Sequence, residues 1–151
     1  MSLSFRDAAR ADLAVILELG FAGAAVPGLV KPPEPDHPDM LAGFEAISAD
    51  PNHRLIVAEE NGVIVGTLQI SYIPGVSGNG MWRGQIENVH IRSDRRGKGL
   101  GGEVMEWAIA RCRERGCGVV QLTSNKVRKD AHRFYERLGF EKSHEGLKLK
   151  L

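Results

Sequence analysis

Four glycines and three cations share the eight positions Arg95-Arg96-Gly97-Lys98-Gly99-Leu100-Gly101-Gly102. A β-prone run, 85–91, leads into this turn, and from Leu100 apolar residues recur at helical spacing, so the turn joins a strand to a helix N-terminus. Glycines let backbone N–H groups approach a ligand, and a helix N-terminus carries about half a positive charge. The chemistry such a turn supports is retention of a pyrophosphate, with Arg95, Arg96 and Lys98 adding formal charge. Ordinary strand-to-helix loops also contain glycine, so context has to discriminate. No Gly-Lys-Ser/Thr is present, which removes the phosphate-binding loop of nucleotide hydrolases. No Gly-x-Gly-x-x-Gly lies in a first βαβ unit followed about 20 residues later by an acid on a second strand, which removes the dinucleotide fold.

The other reactive side chains are less specific. Cys112 and Cys117 are five positions apart, with no second pair for zinc and no Cys-x-x-Cys, and read as reduced thiols. One sits at a helical core position and the other at a strand entry, so both are assigned to packing rather than nucleophilic attack. His144 has no partner at ligand spacing and is read as a surface or cleft residue, so no metal is expected. A net charge of +1 argues against a protein whose work is neutralising nucleic-acid phosphates. Charge is unevenly distributed: residues 1–75 hold four basic and ten acidic side chains, residues 76–151 sixteen and nine. Solvated helix faces alone produce such asymmetry; so does a site where an anion meets a cationic second reactant.

With 151 residues, 42% hydrophobic and 26% charged, the chain is read as one globular domain, 1–151, with a sizeable core. No apolar run approaches the roughly 20 residues that cross a bilayer, and the N-terminus lacks a basic segment followed by an apolar one. A cytoplasmic protein without membrane association is expected. Residues 3–6 form a first strand, and Asp12 opens a helix with Leu13, Ile16 and Leu17 on one face. Pro27, Pro32, Pro33, Pro35 and Pro38 make 27–38 a loop; 40–47 is a short helix ending before Pro51. Asn61-Gly62 between two β-prone runs predicts an antiparallel hairpin of 54–59 with 63–73. A glycine-rich connection, 74–84, precedes the strand 85–91. The helix from Leu100 carries Val104, Ala108 and Cys112 and ends at Gly116, 119–122 is a strand, and Asp130 opens a helix that stops at Gly139. Residues 140–151 supply one or two closing strands. The order is that of a mixed α/β sheet, antiparallel in front, with one parallel crossover around the long helix.

Arg96-Gly97-Lys98-Gly99-Leu100-Gly101 resembles the signature Gln/Arg-x-x-Gly-x-Gly/Ala of the GNAT N-acetyltransferase superfamily. Ile86-Glu87-Asn88-Val89-His90-Ile91 is similar to the family's fourth strand, and Ala131-His132-Arg133-Phe134-Tyr135-Glu136-Arg137-Leu138-Gly139-Phe140 to its last helix and following strand. The resemblance implies the acyl-CoA N-acyltransferase fold, with six to seven strands and about four helices. Gln121-Leu122-Thr123-Ser124-Asn125, Asp130-Ala131-His132 and Ser143-His144 are similar to the small-molecule branch that includes aminoalkylphosphonate acetyltransferases; that group has a glutamate where Asn88 stands.

The activity implied is transfer of acetyl from acetyl-CoA, as co-substrate, to a primary amine of a small molecule, by direct attack in a ternary complex. Backbone groups of Val89, His90 and Ile91 would follow the pantetheine arm, and one of their N–H groups would polarise the thioester carbonyl. Amides of Arg96, Gly97, Lys98, Gly99, Leu100, Gly101 and Gly102 would hold the pyrophosphate, and Asn125 would hydrogen-bond the pantetheine arm. Glu87 is a candidate general base, directly or through water. His90 is a second titratable group, facing away from Glu87 unless a bulge intervenes. Tyr135 is a candidate acid for the departing thiolate. Segments 20–40 and 74–83 are expected to shape the acceptor pocket. A protein or peptide acceptor, a non-catalytic CoA-binding regulatory module, and a homodimer stay open as alternatives of substrate, class and assembly.

Overall fold

The computed structural model describes residues 3–23 and 31–151. Residues 1–121 form one unit and 122–151 a second, each described by itself. In the first, a five-stranded sheet runs in the order β1 (Ser4–Asp7), β2 (His53–Glu60), β3 (Val63–Ile73), β4 (Trp82–Ile91), β5 (Cys117–Gln121). Neighbours among the first four strands are antiparallel, and β5 lies parallel to β4. The mixed α+β architecture is the one expected from the order of elements.

Local chemistry accounts for the turns. Asn61 and Gly62 both take positive φ (53° and 78°), the geometry of a two-residue hairpin loop whose twist matches its strands. The helix α1 (Leu13–Gly23) follows a turn at Arg10–Asp12, where Asp12 accepts the Ala9 N–H at 2.7 Å and pairs with Arg6. Pro38 occupies the first turn of α2 (Pro38–Ala49), where its missing N–H costs nothing. Residues 24–30, and with them Pro27 and the start of the expected loop, lie outside the described residues. A single irregular turn, α3 (Ser77–Gly80), interrupts the β3–β4 connection. The long helix α4 (Leu100–Glu114) starts at Gly99 and is closed by Gly116 at φ 78°, as the apolar spacing predicts.

One layer of the core lies between the sheet and α4, and α1 packs on the sheet's other face with Leu13 and Leu19 buried. Ile56, Leu68, Ile70 and Ile86 from three strands, with Val104, Met105 and Cys112 from the helix, are 0–1% exposed. Each such side chain contributes about 1.5–3 kcal/mol by leaving water. Gly84 is the close approach: a Cβ there would stand 2.4 Å from Cys112 Sγ, so only glycine lets α4 pack this near β4. Cross-strand pairing sets Gly84 and Ile86 toward α4, while Arg83, Gln85 and Glu87 point to the opposite face.

Two expectations are corrected. Five strands are found among the described residues where six to seven were expected, because 140–151 forms no ladder. The alternation of Leu147, Leu149 and Leu151 with lysines has the right period for a strand, but these leucines are almost fully exposed, and period alone creates neither a backbone partner nor a covered face. β4 also begins at Trp82, three residues before the expected start, because Trp82 pairs with β5 and 83–85 pair on both sides with β3 and β5 despite the glycine.

Candidate active site

The strands β4 and β5 part in mid-course. Their last pair is Gln85 with Gln121, and β4 runs on to Ile91, so 86–91 present backbone polar groups on an edge that β5 does not cover. An extended ligand laid in this cleft would meet a row of N–H and C=O groups.

A bulge shapes that stretch. Glu87 faces Gln69 and His90 faces Thr67, so three steps on β4 match two on β3, and Asn88 absorbs the extra residue at φ 53°. Asparagine tolerates this left-handed conformation better than most side chains. The consequence is a change of parity: His90 turns to the same face as Glu87. There it is half-buried under α1, where a Cβ on Gly23 would come within 2.4 Å of His90 Nδ1. Gly20 and Gly23 therefore give the imidazole its space. Glu87 is exposed.

A polar rung crosses the sheet on this same face. His53, Ser71, Gln85 and Gln121 are successive cross-strand partners over β2, β3, β4 and β5. His53 Nδ1 and Ser71 Oγ are 2.8 Å apart, Gln121 Nε2 donates to Gln85 Oε1 at 2.7 Å, and Asp50 lies 3.6 Å from His53 Nε2. This rung went unseen in the sequence, because register, not spacing along the chain, creates it.

Beyond β4, a short turn at Ser93–Arg95 leads to Gly97 and Gly99, both with positive φ (77° and 80°). Three contacts brace the turn. Arg95 pairs with Glu60 at the β2–β3 hairpin, Arg92 forks onto Asp94, and Arg96 Nε donates to the Ile91 carbonyl at 3.2 Å. Arg95 is thus neutralised by Glu60, which leaves Arg96 and Lys98 as the exposed cations of the turn. Among the described residues no side chain caps α4, whose acidic first-turn residue Glu103 instead accepts the Leu3 N–H at 2.8 Å. Cβ atoms at Gly97, Gly99 and Gly102 would meet nothing within 4 Å among the described residues, so the described residues leave the space at these glycines open. Unsatisfied helix N–H groups, open space and two cations fit a pyrophosphate.

In the second unit, Asn125 caps its own turn: its Oδ1 accepts the Val127 N–H at 3.1 Å and its carbonyl accepts the Arg128 N–H at 2.9 Å. Among the described residues its Nδ2 protons meet no acceptor, so they can donate. Tyr135, on α5 (Lys129–Arg137), has Phe134 and Phe140 edge-on at 5.1 and 5.9 Å, and burial pushes its hydroxyl pKa above 10. Cys112 and Cys117 are both thiols; burial pushes Cys112 up to about 11, which makes it inert at neutral pH, in line with packing. His144 is exposed with its Nδ1 2.7 Å from Ser143 Oγ. Among the described residues, no helix is long and apolar enough to cross a membrane.

The sheet is open between two parallel strands, with a glycine turn at the head of the crossover helix. The chain belongs to the acetyltransferase (GNAT) family, whose model matches residues 25–140. Over 111 residues it is 32% identical to an aminoalkylphosphonate N-acetyltransferase of Salmonella typhimurium, covering 74% of this chain and 71% of that protein. An L-methionine sulfoximine/L-methionine sulfone acetyltransferase of Pseudomonas paraeruginosa is 30% identical over 143 residues, 93% of this chain and 81% of its own. Among solved structures, a protein described as a transcriptional regulator from Bacillus halodurans C-125 superposes with a TM-score of 0.90 at 39% identity, covering 99% of both chains. Glucosamine-6-phosphate N-acetyltransferase from Arabidopsis thaliana does so with 0.77 at 26% identity, again over 99% of both.

Proposed function

We propose that the protein transfers acetyl from acetyl-CoA to a primary amine of a small molecule, by direct attack within a ternary complex. The observation that carries this reading is the parting of β4 from β5 after Gln85, with the glycine turn at the end of the same strand. Bound acetyl-CoA supplies an activated acyl group with a thiolate leaving group. Amides of Arg96 to Gly102 bind its pyrophosphate, with Arg96 and Lys98 adding charge. Backbone groups of Val89, His90 and Ile91 bind the pantetheine arm and orient the thioester, one N–H polarising its carbonyl. The Asn125 amide adds a further hydrogen bond to that arm. Glu87, directly or through one water, takes a proton from the acceptor's amino group so that the free amine attacks the thioester carbonyl, and Tyr135 gives a proton to the departing sulfur.

The named activities of the two relatives, both small-molecule acetyl transfers, support a small acceptor. The test is release of free CoA from acetyl-CoA with a panel of small amines and peptides. Turnover of small amines is expected. Turnover of peptides alone would move the acceptor to the protein class, and no turnover with intact CoA binding would leave a binding module.

A further inference from the structure

Along β4, on the face opposite α4, the side chains at two-residue intervals are Arg83, Gln85 and Glu87: a cation, an amide and a carboxylate on one line. The pairing with β3 is unbroken over this stretch, Ile73 with Arg83, Ser71 with Gln85 and Gln69 with Glu87, so all three share the face. Arg54, Arg92 and Arg111 each face a carboxylate. Arg83 is half-buried, yet among the described residues it has neither an ion pair nor a hydrogen bond. Its Nη1 would lie 3.5 Å from a Cβ at position 75, so Gly75 leaves the guanidinium its space. A partly dehydrated cation without a counter-ion is costly unless an anion arrives. Gln85 uses its carbonyl on Gln121, which leaves its own amide protons to donate.

We infer that Arg83 and Gln85 select acceptors that carry an oxyanion close to the amine: zwitterionic amino-carboxylates, amino-phosphonates or amino-sulfonates. This rests on the acetyl-transfer reading and names the acceptor class of that same site. The amine goes to Glu87 and the oxyanion to the Gln85 amide, with the Arg83 field behind it. Residues two apart on a strand are roughly 7 Å apart, so amine and oxyanion are separated by about that distance or less, a few bonds. The gradient along the strand also sets the direction of binding, because a reversed zwitterion would put like charges together at both ends.

The experiment compares kcat/KM for β-alanine, taurine and 2-aminoethylphosphonate with that for ethylamine, ethanolamine and ethylenediamine. The wild-type enzyme is expected to prefer the acid-bearing set by about 10- to 1,000-fold, the range of one or two charge-assisted hydrogen bonds. Arg83→Gln should reduce that preference at least about 10-fold, and Gln85→Glu should turn it toward ethylenediamine by placing a carboxylate where the oxyanion binds. A merely structural role would lower all six substrates together. Equal use of ethylamine and β-alanine by the wild type, or an unchanged preference in both folded variants, overturns the assignment. Calorimetric titration of the CoA-saturated protein with β-alanine and ethylamine keeps the two readings apart. Preferential β-alanine binding that Arg83→Gln abolishes, without any turnover, upholds the oxyanion site and removes acetyl transfer.

Discussion

Tyr135 and Phe134 are neighbours on α5, and only one of them carries a proton to give. Their rings meet edge to face, and Tyr135 makes a second such contact with Phe140, so the ring would pack equally well without its oxygen. Burial raises the hydroxyl pKa, which keeps the proton in place through neutral and mildly alkaline pH. Tyr135→Phe should therefore leave the unfolding midpoint and CoA affinity near wild type, while single-turnover acetyl transfer slows by about 10- to 1,000-fold. The wild-type rate should show no loss assignable to this group through neutral and mildly alkaline pH. An unchanged single-turnover rate in the variant would reduce Tyr135 to packing.

At the scale of elements, the turn between β4 and α4 is held from outside. Glu60, at the end of β2, neutralises Arg95, and the Arg96 side chain returns to the Ile91 carbonyl, so the hairpin and the strand position the turn. The glycines of the turn have two different jobs. Gly97 and Gly99 occupy left-handed φ, where a side chain costs about 1–2 kcal/mol of strain. Gly101 lies in the first turn of α4, outside the positive-φ positions, so a substitution there tests crowding of the amides without that strain. Gly101→Val should weaken CoA binding at least about 10-fold, the loss of one charge-assisted hydrogen bond, while the helix content of the folded protein is retained. Circular dichroism with calorimetric titration of CoA checks both, and an unaltered affinity would move the pyrophosphate elsewhere.

For the whole molecule, stability depends on the contact between α4 and β4, and that contact has a built-in pH dependence. The Cys112 thiol is fully buried against Gly84 and titrates near 11 in the folded state, against an ordinary value of about 9. Between those values the unfolded chain has lost a proton that the folded one retains, so stability falls as pH rises from 9 to 11, by roughly 2–3 kcal/mol at most. Cys112→Ala should abolish that part of the slope in urea unfolding measured from pH 8 to 11, although the lost volume lowers the overall stability. A slope as steep as wild type would place the titrating group elsewhere.

The sequence by itself determined what depends on neighbours along the chain. Asn61-Gly62 specified the hairpin through its positive φ angles, the 3.6-residue period specified α4 and its end at Gly116, and the glycine turn specified an anion site at a helix start. The family followed from the same local patterns. Only the tertiary structure decided what depends on pairing across strands. The bulge at Asn88 turned His90 to the face of Glu87, the register joined His53, Ser71, Gln85 and Gln121 into one rung, and the hairpin's Glu60 took Arg95 out of the turn's free charge. Likewise, the alternating leucines of 147–151 met the period of a strand and formed none. Alternation specifies a face, but a strand exists only where a second backbone satisfies its hydrogen bonds.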